Sequence, residues 1–117
     1  YDPDLDSWSK MTTAFTPQGR MRAKSLWTGS KMVIWGGATF RGQTVTGAWQ
    51  ERANDSGGMY DPVRNTWTVM QTSNAPLLDC PGNLAPYAAW ATNKMILWGG
   101  GLGDTHLYFF SPTAKLP

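Results

Sequence analysis

A reactive centre in this chain would have to be built from very few groups. His106 is the one histidine and stands two residues after Asp104 in "GLGDTHLYFF", and Cys80 is the one cysteine and follows Asp79. A structural zinc site takes four Cys or His ligands at short paired spacings, and a calcium loop takes acidic residues at alternate positions. Neither pattern is written here. A Ser/His/Asp relay would have to recruit His106 with nothing marking its serine, and no glycine-rich turn leads into a helix to cradle phosphate. Asp104 and His106 read as a polar loop, and the chain supplies no catalytic residue, metal-ligand set or cofactor motif.

Residues suited to binding are easier to find. The stretch "ATFRGQTVTGAWQERANDS" (38–56) gathers Arg41, Trp49, Gln50, Glu51, Arg52 and Asp55. An amphipathic ring beside an arginine suits a protein partner or a sugar ring. The competing reading is that Trp49 folds back over its own loop with the charges solvated.

Composition bounds the possibilities. The 117 residues are 41% hydrophobic and 13% aromatic, enough for a packed core. Thirteen Gly, eight Pro and seven Trp, without stretches of helical spacing, favour short strands joined by turns. Ten Lys plus Arg against eight Asp plus Glu gives a net charge of +2 with no basic cluster, which argues against a nucleic-acid partner. No apolar run approaches a membrane span, and "YDPDLDSW" at the start is not a signal peptide. A lone cysteine leaves the compartment undetermined, extracytoplasmic placement included.

The elements that must position the binding residues appear through repetition. "KMVIWGG" at 31–37 returns as "KMILWGG" at 94–100, and "YDPDLDSWSKM" at 1–11 returns as "YDPVRNTWTVM" at 60–70. A weaker third copy of the second motif is "FFSPTAKLP", with Phe110, Ser111 and Pro112 in the places of Tyr, Asp and Pro. Asp61 and Pro62 suit early turn positions and Asn65 tolerates a left-handed backbone, so each Tyr-to-Trp segment is a tight turn between strands. Strands ending near Trp27 and Trp90 meet polar turns at 28–30 and 91–93 and then the apolar runs 32–35 and 95–98, a hairpin signal. Those runs are apolar at every position, as in an interior strand covered on both faces. Double glycines at 36–37 and 99–100 end them. One unit therefore spans 20–70 with strands at 24–27, 32–35, 58–60 and 67–70. Trp8, Trp27, Trp35, Trp67, Trp90 and Trp98 recur at equivalent places, which packing between units explains. Trp49 has no counterpart, so a contact role is more plausible for it.

Four antiparallel strands in a repeat of this size, a double glycine after the second strand, and a Tyr and a Trp separated by a six-residue turn resemble the kelch repeat. The residues carrying the resemblance are Gly36, Gly37, Tyr60 and Trp67, and the "TGSKMVIWGG" and "YDPVRNTW" forms are similar to kelch arrays of bacterial type. The chain departs at Ala23, where such arrays often place His. The resemblance implies an all-β fold of kelch-type β-propeller blades with four antiparallel strands each. The implied division is 1–19 as the fourth strand of a preceding blade, with that strand at 8–11, 20–70 as a complete blade, and 71–117 as strands one to three of the next. About two blades do not close a ring. A longer parent chain, head-to-tail assembly of several copies, or exchange of the N-terminal strand would each complete it.

In such a blade the loop from strand two to strand three, residues 38–56, shares a face with 71–86, and long loops inside compact units are usually functional. Arg20 and Arg22 fall at that rim or toward the central channel, serving either a ligand or structural hydrogen bonds. Copper-radical chemistry, known in some kelch propellers, needs several His and Tyr ligands and a paired Cys, which one His cannot supply. The resulting expectation is a non-enzymatic scaffold that binds a protein or a glycan through its long-loop face. The alternative is a piece of a kelch-fold carbohydrate-active enzyme whose catalytic residues lie in other blades.

Overall fold

A computed structural model of the chain describes residues 1–75 and 86–99, together with the backbone of a last strand at 108–110. Asp79, Cys80, Asp104, His106 and the third Tyr-to-Trp copy beyond Phe110 lie outside the described residues. The fold is all-β, and among the described residues there is no helix. The strands are β1 (Lys24–Trp27), β2 (Met32–Trp35), β3 (Ala38–Gln43), β4 (Trp49–Ala53), β5 (Gly57–Asp61), β6 (Thr66–Val69), β7 (Tyr87–Ala91), β8 (Lys94–Trp98) and β9 (Tyr108–Phe110). They form a four-stranded antiparallel sheet β1-β2-β5-β6, a separate hairpin β3-β4, and a sheet β7-β8-β9.

The first sheet holds the four strands read from the repeat, and its register explains the core. One set of cross-strand rows joins Leu26, Val33, Met59 and Thr68, and then Lys24, Trp35 and Gly57. The alternate rows join Trp27, Met32, Tyr60 and Trp67, and then Ser25, Ile34, Gly58 and Val69. Successive side chains point to opposite faces. The Val33–Trp35 face, with Met70, packs on Met95 and Leu97 of the second sheet, with Leu26, Met59, Ala75, Ala88 and Trp90 around them. β1 also lies against β7. The two sheets thus stack through the same strands that carry the near-identical heptapeptides.

The tryptophans divide accordingly. Trp35 is buried, Trp67 and Trp90 are half-buried, and Trp8, Trp27 and Trp98 are exposed. Packing between units thus accounts for some of the six and leaves Trp8, Trp27 and Trp98 on open faces.

The Tyr-to-Trp turn is built twice with the same bonds. Asp61 Oδ1 accepts from the N–H groups of Val63 and Arg64 at 3.0 and 3.1 Å, and Asp2 Oδ1 accepts from those of Asp4 and Leu5 at 2.9 and 3.2 Å. Asn65 and Asp6 take left-handed φ of 51° and 46°. The Tyr60 hydroxyl donates to Asn65 Oδ1 at 2.8 Å and the Tyr1 hydroxyl donates to Asp6. Rings stack across both turns, with centroids 5.2 Å apart for Tyr60 and Trp67 and 5.1 Å for Tyr1 and Trp8. Asn65 Oδ1 also accepts from the Thr12 backbone N–H at 3.0 Å, which ties the strap after the first turn to the second turn.

Residues 8–11, expected as the fourth strand of a preceding blade, pair with no described strand, and the segment before Trp8 makes a single bridge, Asp2 to Ser7. One expectation is corrected. Residues 38–56 are not an open loop, because 38–53 fold into the hairpin β3-β4.

Gly37 permits that change of direction. At φ 82° it lies in the region L side chains avoid, and a Cβ there would stand 2.5 Å from the Met21 carbonyl oxygen and 2.7 Å from the Ala23 nitrogen. Gly47, at φ 81° in the hairpin turn, has open space around it. Gly37→Ala is therefore expected to cost about 2–4 kcal/mol and Gly47→Ala about 1 kcal/mol, measured by urea unfolding, because only the first adds a steric clash to the backbone strain.

Asp61 gives the turn a pH dependence. The N–H of Arg64 is the largest influence, opposed by desolvation and assisted by the N–H of Val63 and the charges of Lys31 and Arg64, and the net effect lowers the carboxyl pKa. A group depressed in the folded state adds stability that is complete above its unfolded pKa and lost as pH falls through the folded value. Acid unfolding of Asp61→Asn should accordingly be less steep below the ordinary carboxylate range, around pH 4, than that of the native chain.

Candidate functional site

The segment 20–23 and the hairpin β3-β4 meet at the double glycine. Arg20 donates from Nη1 to the carbonyls of Gly36 at 3.0 Å and Ser56 at 2.7 Å, from Nη2 to Ser56 Oγ at 3.3 Å, and from Nε to the Gln18 carbonyl at 2.9 Å. Partial burial of its guanidinium lowers its pKa from the usual arginine value. Met21 and Ala38 exchange both backbone hydrogen bonds at 2.9 Å, Gly36 N–H donates to Ser56, and Asn54 N–H donates to Gly37. Both ends of the hairpin are thereby fastened to the sheet. These bonds give Arg20 a structural role at the base of the hairpin.

Beyond that base the hairpin packs on no other strand among the described residues. Its register pairs Ala38 with Ala53, Thr39 with Arg52 and Phe40 with Glu51, then shifts so that Gly42 pairs with Gln50 and Gln43 with Trp49. Arg41 is the extra residue at the shift, a β-bulge that increases local twist. The tip is closed by Thr44, whose backbone accepts from Gly47 N–H and donates to Ala48, and whose Oγ1 accepts from Ala48 N–H.

Alternation divides the candidates between two faces. Trp49 and Glu51 share one face with Phe40, whereas Gln50 and Arg52 lie on the other with Thr39. Phe40 and Trp49 stack with centroids 5.4 Å apart at 56°, and they remain 53% and 65% exposed. Arg22 reaches across from the strap to pair with Glu51, holding a left-handed φ of 57° while its Nε is buried without an acceptor. Asp55 is exposed just beyond β4. The structure therefore brings together Trp49, Glu51 and Arg22, separates Gln50 and Arg52, and removes Arg20 to the hairpin base. Phe40 completes the aromatic surface and was not among the sequence candidates. Its signal was partial: Gly42 and Gly47 flank a Thr-rich turn, but the alternation that marks a hairpin is broken at Arg41.

Chemically, two tilted rings with a guanidinium and a carboxylate beside them offer apolar contact, donors and an acceptor. Among the described residues no group of three or more His, Cys, Asp or Glu is placed to hold a metal ion. No protein-family model matches the chain, and no curated protein matches it.

The two arginines should separate in mutagenesis. Arg20→Leu leaves the Gly36 carbonyl without a donor and the Ser56 carbonyl with the Gly36 N–H alone, and should cost about 1–3 kcal/mol in urea unfolding. Arg22→Leu removes a partly exposed ion pair and should cost less than about 1 kcal/mol.

Proposed function

We propose that the chain is a segment of a kelch-type β-propeller that acts as a non-enzymatic binding scaffold and takes a protein or glycan partner on the Trp49 face of its β3-β4 hairpin. The kelch reading is supported by the double glycine after the second strand and by the twice-built Tyr-to-Trp turn. The β1-β2-β5-β6 order, with short antiparallel strands, is compatible with a blade.

The observation that carries the binding role is the exposed Phe40–Trp49 pair on a hairpin that leans on no other strand among the described residues. Such a pair gives the hairpin no core to build, so its burial is available to a partner, and aromatic residues with a neighbouring arginine are the side chains that dominate binding energies. Loops carried on a rigid sheet are the usual place for recognition.

The test compares the native chain with Trp49→Ala and Phe40→Ala on a printed glycan array and in cross-linking capture of proteins. Each substitution should weaken the partner bound by the native chain about 10-fold or more, with the circular dichroism spectrum and unfolding midpoint unchanged. Undiminished binding by both variants would remove the hairpin as the binding face.

A further inference from the structure

The Trp49 face of the hairpin is small. It is made of three cross-strand pairs, Gln43 with Trp49, Phe40 with Glu51, and Ala38 with Ala53. With a rise of about 3.4 Å per residue and strands about 4.8 Å apart, it measures about 14 by 10 Å. A stable protein partner covers about 800 Å² on each side, several times that area. Thr39, Gln50 and Arg52 point to the opposite face and cannot widen it.

The polar groups at its edge are incompletely used. Arg22 Nη2 donates to Glu51 Oε2, and both side chains stay partly exposed. The pair employs one oxygen and one terminal nitrogen, so Glu51 Oε1 and Arg22 Nη1 make no hydrogen bond among the described residues. An acceptor and a donor are thus left on adjoining groups whose charges cancel. Arg22 is held there against a left-handed φ of 57° and with its Nε buried and unpaired, the kind of local strain that gathers at ligand sites.

We propose that the Trp49 face binds one ring of an uncharged pyranose sugar, which lies on the indole and sets two neighbouring hydroxyls against Glu51 and Arg22. One face of a pyranose is lined by C–H bonds of slight positive charge, which suit the negative face of an indole. A hydroxyl both donates and accepts, so one of an adjacent pair donates to Glu51 Oε1 while the other accepts from Arg22 Nη1. Phe40, tilted 56° from the indole, is a side wall and not an extension of the platform, which limits it to a single ring. An acidic sugar gains nothing here, because Glu51 opposes what Arg22 attracts. The proposal rests on the hairpin being the binding face and chooses the glycan over the protein.

The test titrates the isotope-labelled chain with the methyl pyranosides of glucose, galactose and mannose, and with methyl glucuronide, reading the backbone amide resonances of Phe40 and Glu51. A ligand of so few atoms has a Kd on the order of 1–10 mM, so titration runs to about 100 mM. At least one neutral pyranoside should shift these resonances to saturation. Trp49→Ala should weaken it about 10-fold or more, and Trp49→Tyr, which keeps a ring, should restore most of the loss. Glu51→Gln should weaken it about 5-fold. If Glu51→Gln rearranges the hairpin, Arg22→Lys takes its place, since it keeps the ion pair and loses the second terminal nitrogen. No response to any neutral pyranoside, binding indifferent to Trp49→Ala, or tighter binding of the glucuronide would each overturn the proposal. A cross-linked protein partner lost in Trp49→Ala, with no sugar bound, would overturn it and leave the scaffold reading standing; failure of sugar and protein alike would remove both.

Discussion

The structure depends on strand β2 being apolar at every position. Met32, Val33, Ile34 and Trp35 alternate sides, so both faces of the sheet at this strand must be covered or expose large hydrocarbon surface to water. One side is satisfied by the second sheet, where Val33 and Trp35 meet Met95 and Leu97. The other is served by the strap after the first turn, which brings Met11 beside Met32 and Pro17 over Gly58. The sheet order follows from the same need. A central strand needs neighbours on both edges, and β1 and β5 supply them in antiparallel register.

The end of that strand decides where the hairpin can go. Two glycines at φ 68° and 82° turn the backbone out of the sheet, and the Gly37 backbone comes so close to Met21 and Ala23 that no side chain fits. Without a side-chain donor the Gly36 carbonyl would be left unpaired and the Ser56 carbonyl would keep only the Gly36 N–H. Arg20 answers with one planar guanidinium, whose Nη1 reaches the Gly36 and Ser56 carbonyls while Nε and Nη2 reach the Gln18 carbonyl and Ser56 Oγ, a spread of donors that a single ammonium nitrogen does not offer. With its base held in this way, the hairpin packs on no other strand among the described residues. Its own ladder and the Arg22–Glu51 pair hold it together, and its Phe40–Trp49 face is exposed.

The repeated turn shows how one sequence motif serves two purposes. The Asp side chain caps two N–H groups, the left-handed Asn or Asp closes the loop, and the Tyr and Trp rings lock its sides, all without help from the rest of the fold. That local sufficiency explains why the first copy forms although its Trp8 is exposed. The second copy does more. Its Asn65 oxygen accepts both the Tyr60 hydroxyl and the Thr12 N–H, so the same amide shapes the turn and fastens the preceding strap to it.

The sequence by itself determined the four strands of the first sheet, the β7–β8 hairpin, the double glycine that ends β2 and the two described Tyr-to-Trp turns. These are local matters of backbone conformation and alternation, and they are written in residues such as Asn65, Gly37 and the run from Met32 to Trp35. It also marked Trp49, the one tryptophan without a repeat partner. It did not reveal that residues 38–53 pair with themselves, because a bulge at Arg41 breaks the alternation by which a hairpin is read. Nor did it distinguish Trp35 from Trp98, which stand in nearly the same sequence. Only the tertiary structure decided that difference, since burial depends on which sheet lies across the face, and that neighbour is far away along the chain. The same reason separates Arg20 from Arg22: two similar residues two positions apart become a part-buried clamp on backbone carbonyls and a partly exposed ion pair according to what the fold brings beside each.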